Sequence, residues 1–497
     1  MRPPSRAVVE PHTKLLDLRV FGGIAVKVVS AGLQFLAIPV IISRAGLEIY
    51  GLFGLFSIVI MYFAMADIGI TKSTVRFISM SRTEDHTEIF SVIFLLTGLF
   101  SFAVVGIGYL LSEPVLRLIG LEVTATNRMI YDLALVTSFL MVARSLYLSA
   151  AYALENFKFV YNTTVIFEIL RWGGSIAAVL MFDNAILSLI TTLAIATFLH
   201  VATLAYLVHV TGRIRITIPR NGRRTKSILR YSLSVFTIDV TNKISSYADK
   251  ILVAATGLVL SFAHYYIAFQ VVGKVADFLS GATIPYIQRV AKQFGTEDTA
   301  AIRTTMTDAY DKIGFLFLPP ILTLLVFGKT YLELWLGREA AEDVYPYLAV
   351  LSAGYGLTIY GTISINLSNA LGRTSVSILS SALMAAAILV GSFFALPRFG
   401  PLGMGVVWAA CQAIPLVVVF PATMRLLGIS QIGLVLRAIA TATGIAVTFL
   451  AAKLLVQNLF ADPGAYEVLA FALTSLALSY APAALPLLKK LRASRVW

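Results

Sequence analysis

The chain has 497 residues, of which 58% are hydrophobic and 13% charged, with a net charge of +13 and a mean hydropathy of +0.85. Soluble domains carry about 25% charged residues, so this composition excludes a soluble enzyme and marks an integral membrane protein. The positive charge collects between apolar runs, which is membrane topology and not a nucleic-acid patch. The single Cys411 excludes an intrachain disulfide framework, and the five histidines show no zinc-ligand spacing.

About 20 apolar residues cross a bilayer as a helix. By that ruler the sequence predicts an all-α protein with fourteen transmembrane helices, near 20–42, 52–72, 89–111, 130–152, 161–182, 185–209, 231–258, 259–284, 313–328, 345–369, 374–396, 400–424, 430–452 and 466–488. The polar stretch 1–18 and the length of the first run argue against a cleavable signal. The breaks within 161–209 and 231–284 are narrow, and the ninth span is expected to run on past Lys329. Segments on the N-terminal side of the membrane hold 25 Lys and Arg, against 7 on the other side. That bias predicts both termini in the cytoplasm. The most basic stretch, RIRITIPRNGRRTKSILR (Arg213 to Arg230), reads as a cytoplasmic linker held by anionic headgroups. The segment 288–311 is expected to form a surface helix.

An internal repeat orders these spans. LRLIGLE ends at Glu122 and ELWLGRE ends at Glu339, 217 residues later. The same offset carries Ala153-Leu154 onto Ala370-Leu371 and superimposes spans 1–6 on spans 7–12. Parallel six-helix repeats describe a two-lobed transporter. The expected organisation is an N-terminal lobe at 1–210, a basic linker at 211–230, a C-terminal lobe at 231–425, and a C-terminal helix pair with a basic tail at 426–497.

Several spans carry charges that hydrocarbon penalises. In span 7, taken as a helix of about 100° per residue, Lys243 and Lys250 fall within about 40° of Asp239. Tyr247 lies about 80° to one side and Asp249 about 80° to the other. Three charges thus share one stripe and Asp249 stands apart. Span 1 has Lys27, Ser30 and Gln34; span 4 has Arg144 and Tyr147; span 5 has Glu168, Arg171 and Ser175; span 8 has Gln270, Lys274 and Asp277; and Asp67 lies near the inner end of span 2. Two readings fit. The stripes line a polar cavity, or the charges form structural pairs: Asp239 with Lys243, Glu168 with Arg171, and Lys274 with Asp277. For Glu168 and Arg171 the structural pair is the simpler reading.

RAGLEIYGLF (Arg44 to Phe53), ADIGITKSTVRFIS (Ala66 to Ser79), YADKILVA with HYYIAFQ (His264 to Gln270), LELWLG, NALGRT and FGPLGMGVVWAA follow one another in an order and spacing that resembles the polysaccharide transporters of the MOP superfamily. These are Wzx-like flippases of lipid-linked oligosaccharides. The resemblance implies a MATE-like fold of two six-helix lobes plus two C-terminal helices, in the bacterial inner membrane. In the related peptidoglycan-precursor flippases it implies that spans 1, 2, 7 and 8 line the cavity and that the last two helices flank a lipid-tail groove. With Lys27 as the one charge in span 1, this chain departs from those. The implied activity is alternating-access transport and not catalysis, without a cofactor or metal. The substrate would be a polyprenyl-diphosphate-linked oligosaccharide for O-antigen, exopolysaccharide or capsule. Lys27, Lys243, Lys250 and Lys274 are then expected to hold the diphosphate, with Gln34 and Arg144 beside them. Tyr247, Tyr265 and Tyr266 are expected to meet sugar rings, and Asp67, Asp239 and Asp277 to couple transport to a proton or sodium ion. The polymerase that uses the flipped repeat is an expected partner. A multidrug/cation antiporter of the same fold remains an alternative, opposed by the bases within the spans. A membrane glycosyltransferase or polymerase is a further one, opposed by loops too short for a catalytic domain.

Overall fold

Hydrocarbon offers the backbone no hydrogen-bond partner, so so apolar a chain must satisfy its amides inside helices. The computed structural model describes residues 13–459 apart from 65–68, 220–221, 296–297, 372 and 429–430, with scattered positions between 467 and 476. Among the described residues the chain is helical, without a strand. The helices are α1 (Thr13–Ala45), α2 (Leu47–Phe63), α3 (Ile70–Ser79), α4 (His86–Leu110), α5 (Ser112–Leu118), α6 (Ala125–Ala153), α7 (Phe157–Met181), α8 (Ala185–Tyr206), α9 (Gly222–Ala254), α10 (Val259–Gly295), α11 (Thr299–Leu336), α12 (Arg338–Ala370), α13 (Thr374–Cys411), α14 (Ile414–Leu427) and α15 (Gln431–Leu459).

Ten described helical stretches are long and apolar enough to cross a membrane, against the fourteen spans expected. The differences have physical causes. The expected second span is α2, of 17 residues, followed by the separate polar helix α3. Helix α9 has 33 residues, and its charges hold down its hydropathy. Thr374–Arg425 is one apolar stretch of 52 residues, about 78 Å of helix against about 30 Å of hydrocarbon. Gly400, at φ 59° and ψ −155° between Pro397 and Pro401, breaks it where the sequence predicts a break. The ninth span does run past Lys329, ending at Leu336. The surface helix expected at 288–311 is instead the end of α10 and the start of α11. The last expected span lies mostly outside the described residues.

The helices gather into two units, 1–49 with 56–116 and 123–237, and 50–55 with 117–122 and 238–497. In the first, α6 packs against α3, α4 and α8, and α7 against α1 and α8. Phe90, Ile93, Val142, Leu146, Leu204 and Val208 form its core between α4, α6 and the end of α8. There the helix loosens into a π turn at Leu207–Thr211, and His209 meets the Tyr147 hydroxyl at 3.0 Å. In the second unit α12 is central and touches α10, α11, α13 and α14. Small residues let these helices close up, as is usual between membrane helices. A Cβ on Gly354 would stand 2.8 Å from the Ala409 backbone of α13, and one on Gly361 would stand 3.1 Å from Pro415 of α14.

The repeat is visible as matching helix ends. Helix α6 ends at Leu154 with φ −80° and ψ 4°, and α12 ends at Leu371 with φ −82° and ψ 6°. Helices α7 and α13 then begin at Phe157 and Thr374, again 217 residues apart. Gly120 and Gly337 share a left-handed backbone, at φ 75° and 88°. The break after α7, around Asp183, corresponds to the kink at Gly400.

Gly354→Val inserts a branched side chain into the α12–α13 contact and is expected to destabilise the protein by about 1–3 kcal/mol. Thermal unfolding of the detergent-solubilised variant reads this directly. Gly98→Ala, where a Cβ meets nothing within 4 Å, should leave the melting temperature near that of the parent.

Candidate functional site

The YADKILVA motif forms the last turns of α9. Asp249 and Lys250 are both fully buried. The Lys250 ammonium donates to both oxygens of the Asp249 carboxylate, at 3.1 and 2.9 Å. The Tyr265 hydroxyl, from α10, donates a short hydrogen bond to the same carboxylate. Aromatic faces close the remaining sides. The ammonium stands 3.8 Å from the centre of the Phe269 ring, 5.4 Å from Tyr247 and 5.8 Å from Trp408. Tyr355 of α12 packs on Trp408 of α13 at 5.0 Å. A desolvated cation over an aromatic face gains about 2 kcal/mol or more, so the cage compensates by several small terms what burial costs.

This corrects the helical projection of α9. Successive residues on a helix do not face each other, so Asp249 was expected to stand apart from Lys250. The four-carbon stem of the lysine bends its ammonium back onto the neighbouring carboxylate. Lys250 and Tyr265 therefore line no open surface in this structure. Tyr266 is also buried, between Tyr50 at 6.0 Å and Phe262 at 5.8 Å, and its hydroxyl accepts from Gln270 at 3.2 Å. The open members of the group are half-buried Tyr247, Lys274 and exposed Asp277. Lys274 and Asp277 approach at 4.0 Å along α10. Asp67 lies outside the described residues, as do the side chains of Asp239 and Lys243.

A second polar centre lies in the first unit. The Arg144 Nε–H of α6 donates to His200 Nδ1 of α8 at 3.0 Å. Its guanidinium lies 4.4 Å from the centre of the Phe167 ring of α7, and that ring stacks on His200 at 5.0 Å. One turn along, the Arg171 guanidinium covers Trp172 at 4.7 Å. Glu168 and Arg171 do not form the ion pair expected of them; no contact within 4.0 Å joins their charged groups. Instead Glu168 Oε2, Arg171 Nε, Trp172 Nε1 and His200 Nε2 are buried without a hydrogen-bond partner. An unsatisfied buried polar group costs about 1–3 kcal/mol, and three of them on α7 with one on α8 make a place that gains by taking up water or a polar ligand. On α1, Gln34 is buried and Lys27 half-buried.

Lys250, Tyr265 and Arg144, singled out in the sequence as substrate contacts, lie in these buried polar clusters. The sequence reading missed their partners: Asp249 was assigned to the wrong face, and His200, Phe269 and Trp408 carry no spacing signal. The second unit also holds an apolar cavity of about 500 Å³ between α11, α12, α14 and α15, lined by Leu318, Leu357, Leu416, Phe420 and Ile439 among others. Asp311 at its edge pairs with Arg437 at 3.6 Å.

With this geometry in hand, comparisons with known proteins are informative. The sequence profile of a family described as "Polysaccharide biosynthesis protein" matches residues 49–344. No curated protein matches the sequence. Among solved structures, the lipid II flippase MurJ in an inward closed conformation is similar with a TM-score of 0.72 at 11% identity, over 95% of this chain and 99% of MurJ. An inward-facing multidrug resistance MATE family transporter of the MOP superfamily is similar with a TM-score of 0.64 at 14% identity, over 80% of this chain and 94% of the transporter. The Vibrio cholerae MATE transporter VcmN gives a TM-score of 0.60 at 17% identity, over 84% of this chain and 98% of its own. At these identities the likeness is one of fold: the chain shares the all-helical fold of MurJ and the MATE transporters.

Lys250→Met leaves Asp249 buried without its counter-charge and is expected to lower stability by about 3–5 kcal/mol. The double variant Lys250→Met with Asp249→Asn removes both charges and should recover most of that loss in a thermal unfolding assay. A double variant as unstable as the single one would show that the pair is not what holds this region.

Proposed function

Because the chain belongs to the polysaccharide biosynthesis protein family and shares the MurJ and MATE fold, we propose that it is an alternating-access flippase. It moves a polyprenyl-diphosphate-linked oligosaccharide from the inner to the outer leaflet of a bacterial inner membrane, for O-antigen, exopolysaccharide or capsule. Both termini lie in the cytoplasm, on the strength of the Lys and Arg bias. The polymerase that uses the delivered repeat is its expected partner.

The observation that carries this reading is the caged Lys250. Its ammonium pairs with Asp249, the preceding residue of α9. A diphosphate bears more charge than a carboxylate, so in low dielectric it competes for that ammonium. Lys274, on the open side of α10, supplies the first contact. When the lysine changes partner, Asp249 keeps the Tyr265 hydrogen bond but loses its counter-charge. Taking up a proton or sodium ion then restores neutrality. Asp249 thereby joins Asp67, Asp239 and Asp277 as a coupling group. Half-exposed Tyr247 offers a face for a sugar ring, and buried Tyr265 and Tyr266 do so once the cage opens. Arg144, next to the unsatisfied atoms of the first unit, is a second polar anchor, and Gln34 a neighbour to Lys27. The apolar cavity beside α15 suits the polyprenyl tail.

The test is flipping itself. In proteoliposomes, a fluorescent polyprenyl-diphosphate-linked oligosaccharide should cross the bilayer with the parent protein. It should stall at least about tenfold slower with the folded double variant Lys250→Met with Asp249→Asn. Extrusion of a cationic dye with no movement of the lipid-linked sugar would assign the protein to the multidrug antiporters instead.

Topology is tested separately. Reporter fusions after Arg223 and after Trp497 should read cytoplasmic, and a fusion after Glu339 external. A cytoplasmic signal at Glu339 would overturn the proposed orientation.

A further inference from the structure

Among the described residues, Arg128 pairs with Glu113, Lys312 with Asp308, Lys329 with Glu342, and Arg437 with Asp311. Arg373 and Arg425 differ. They line one pocket of about 290 Å³ at the junction of α12, α13 and α14, together with Ser368, Thr423 and apolar residues and without an acid. Among the described residues neither guanidinium makes a hydrogen bond or ion pair. The pocket keeps its shape through backbone contacts. Ser368 O accepts from the Arg373 amide at 3.0 Å, and the Ser368 hydroxyl donates to Arg373 O at 3.3 Å. The Thr423 hydroxyl donates within its own helix to Val419 O, so the two guanidinium groups are the free donors of the site. Arg303 stands beside it, its guanidinium packed against Gly428, three residues after Arg425.

An acid-free pocket with two unpaired guanidiniums selects an anion, and the fork of each arginine matches the oxygens of a phosphate. The surroundings select the source. Val376 lines the pocket, and Leu379 and Leu383 follow it at i+3 and i+7 along α13, 54% and 44% exposed. That spacing places them on one helix face. The phosphate pocket therefore opens onto an apolar track running along a membrane helix, which a free phosphate does not need and an acyl chain does. Basic pockets between membrane helices hold anionic headgroups in this way. We propose that Arg373 and Arg425 form a binding site for the phosphodiester headgroup of an anionic membrane lipid, whose acyl chain lies along Leu379 and Leu383. The site is separate from the polar centre around Lys250 and does not depend on the substrate proposed above.

Native mass spectrometry of the full chain in neutral detergent tests this, with phosphatidylglycerol and phosphatidylcholine of identical chains as probes. The parent should bind phosphatidylglycerol about tenfold to thirtyfold more tightly than the variant Arg373→Gln with Arg425→Gln. Phosphatidylcholine binding should be unchanged. Arg398→Gln, at the far end of the first segment of α13, should bind phosphatidylglycerol like the parent. Equal binding by the parent and the double variant, or an equal loss in Arg398→Gln, would overturn the site. Inorganic phosphate displacing the lipid at millimolar concentration would overturn the lipid assignment in favour of a free anion. Melting temperature in phosphatidylcholine should not change, since neither guanidinium has a partner to lose. If the double variant melts lower, Arg373→Gln alone and Arg425→Gln alone, each expected to weaken phosphatidylglycerol binding about threefold to sixfold, read the loss on an intact fold.

Discussion

A lysine with no exposed surface must bring its counter-charge with it, and that requirement shapes the second unit around the end of α9. An ionised side chain at the centre of a membrane costs about 2.5–3.5 kcal/mol on insertion scales and more when isolated. Lys250 meets it with a carboxylate one residue away, a phenol from α10 and aromatic faces from α9, α10 and α13. Each of those helices is thereby tied to the others through a single ammonium group. Helix α12 joins through Tyr355 on Trp408, and its glycines at 354 and 361 let α13 and α14 close against it.

The polar centre of the first unit is built on the opposite principle. Its arginine is partnered through Nε to His200 and laid on Phe167, yet four neighbouring polar atoms have nothing to bond. A satisfied network rigidifies, whereas an unsatisfied one in low dielectric is a standing demand for a partner. The two centres are therefore not equivalent: one already holds its ion pair, and the other has bonding capacity to spare.

The internal repeat sharpens that contrast. Helix ends at Leu154 and Leu371 agree to within a few degrees of backbone, so the two copies are the same scaffold over this stretch. Carrying the 217-residue offset forward places Gly361, Ala385 and Val417 where the first copy has Arg144, Glu168 and His200. At Gly361 the missing side chain admits Pro415 of α14. One copy has polar groups at these positions; the other has small or apolar residues, with close helix packing at Gly361. The copies agree in their breaks: α7 and α8 are separated around Asp183, and the non-helical Gly400 divides α13 at the equivalent place. A duplicated scaffold has diverged where its helices meet and kept its geometry where they turn.

The sequence by itself determined the class of this protein, because hydropathy and the rule of internal backbone satisfaction leave an apolar chain only helices. It also determined most break points. The repeat offset, the break near Gly400 and the narrow gaps after Met181 and Ala254 were legible, since glycine, proline and short polar turns act locally. Counting spans was less secure wherever charge and length pulled apart, as in α2 with α3 and in α9. The site was legible only in part. A single helical projection finds which residues are charged and on which face they start, and so finds Lys250 and Arg144. It does not find that a flexible four-carbon stem will turn back to Asp249, that Tyr265 will complete the pair, or that Glu168 will leave Arg171 aside. Those outcomes depend on which helices pack alongside, and at what distance, and only the tertiary structure decides that.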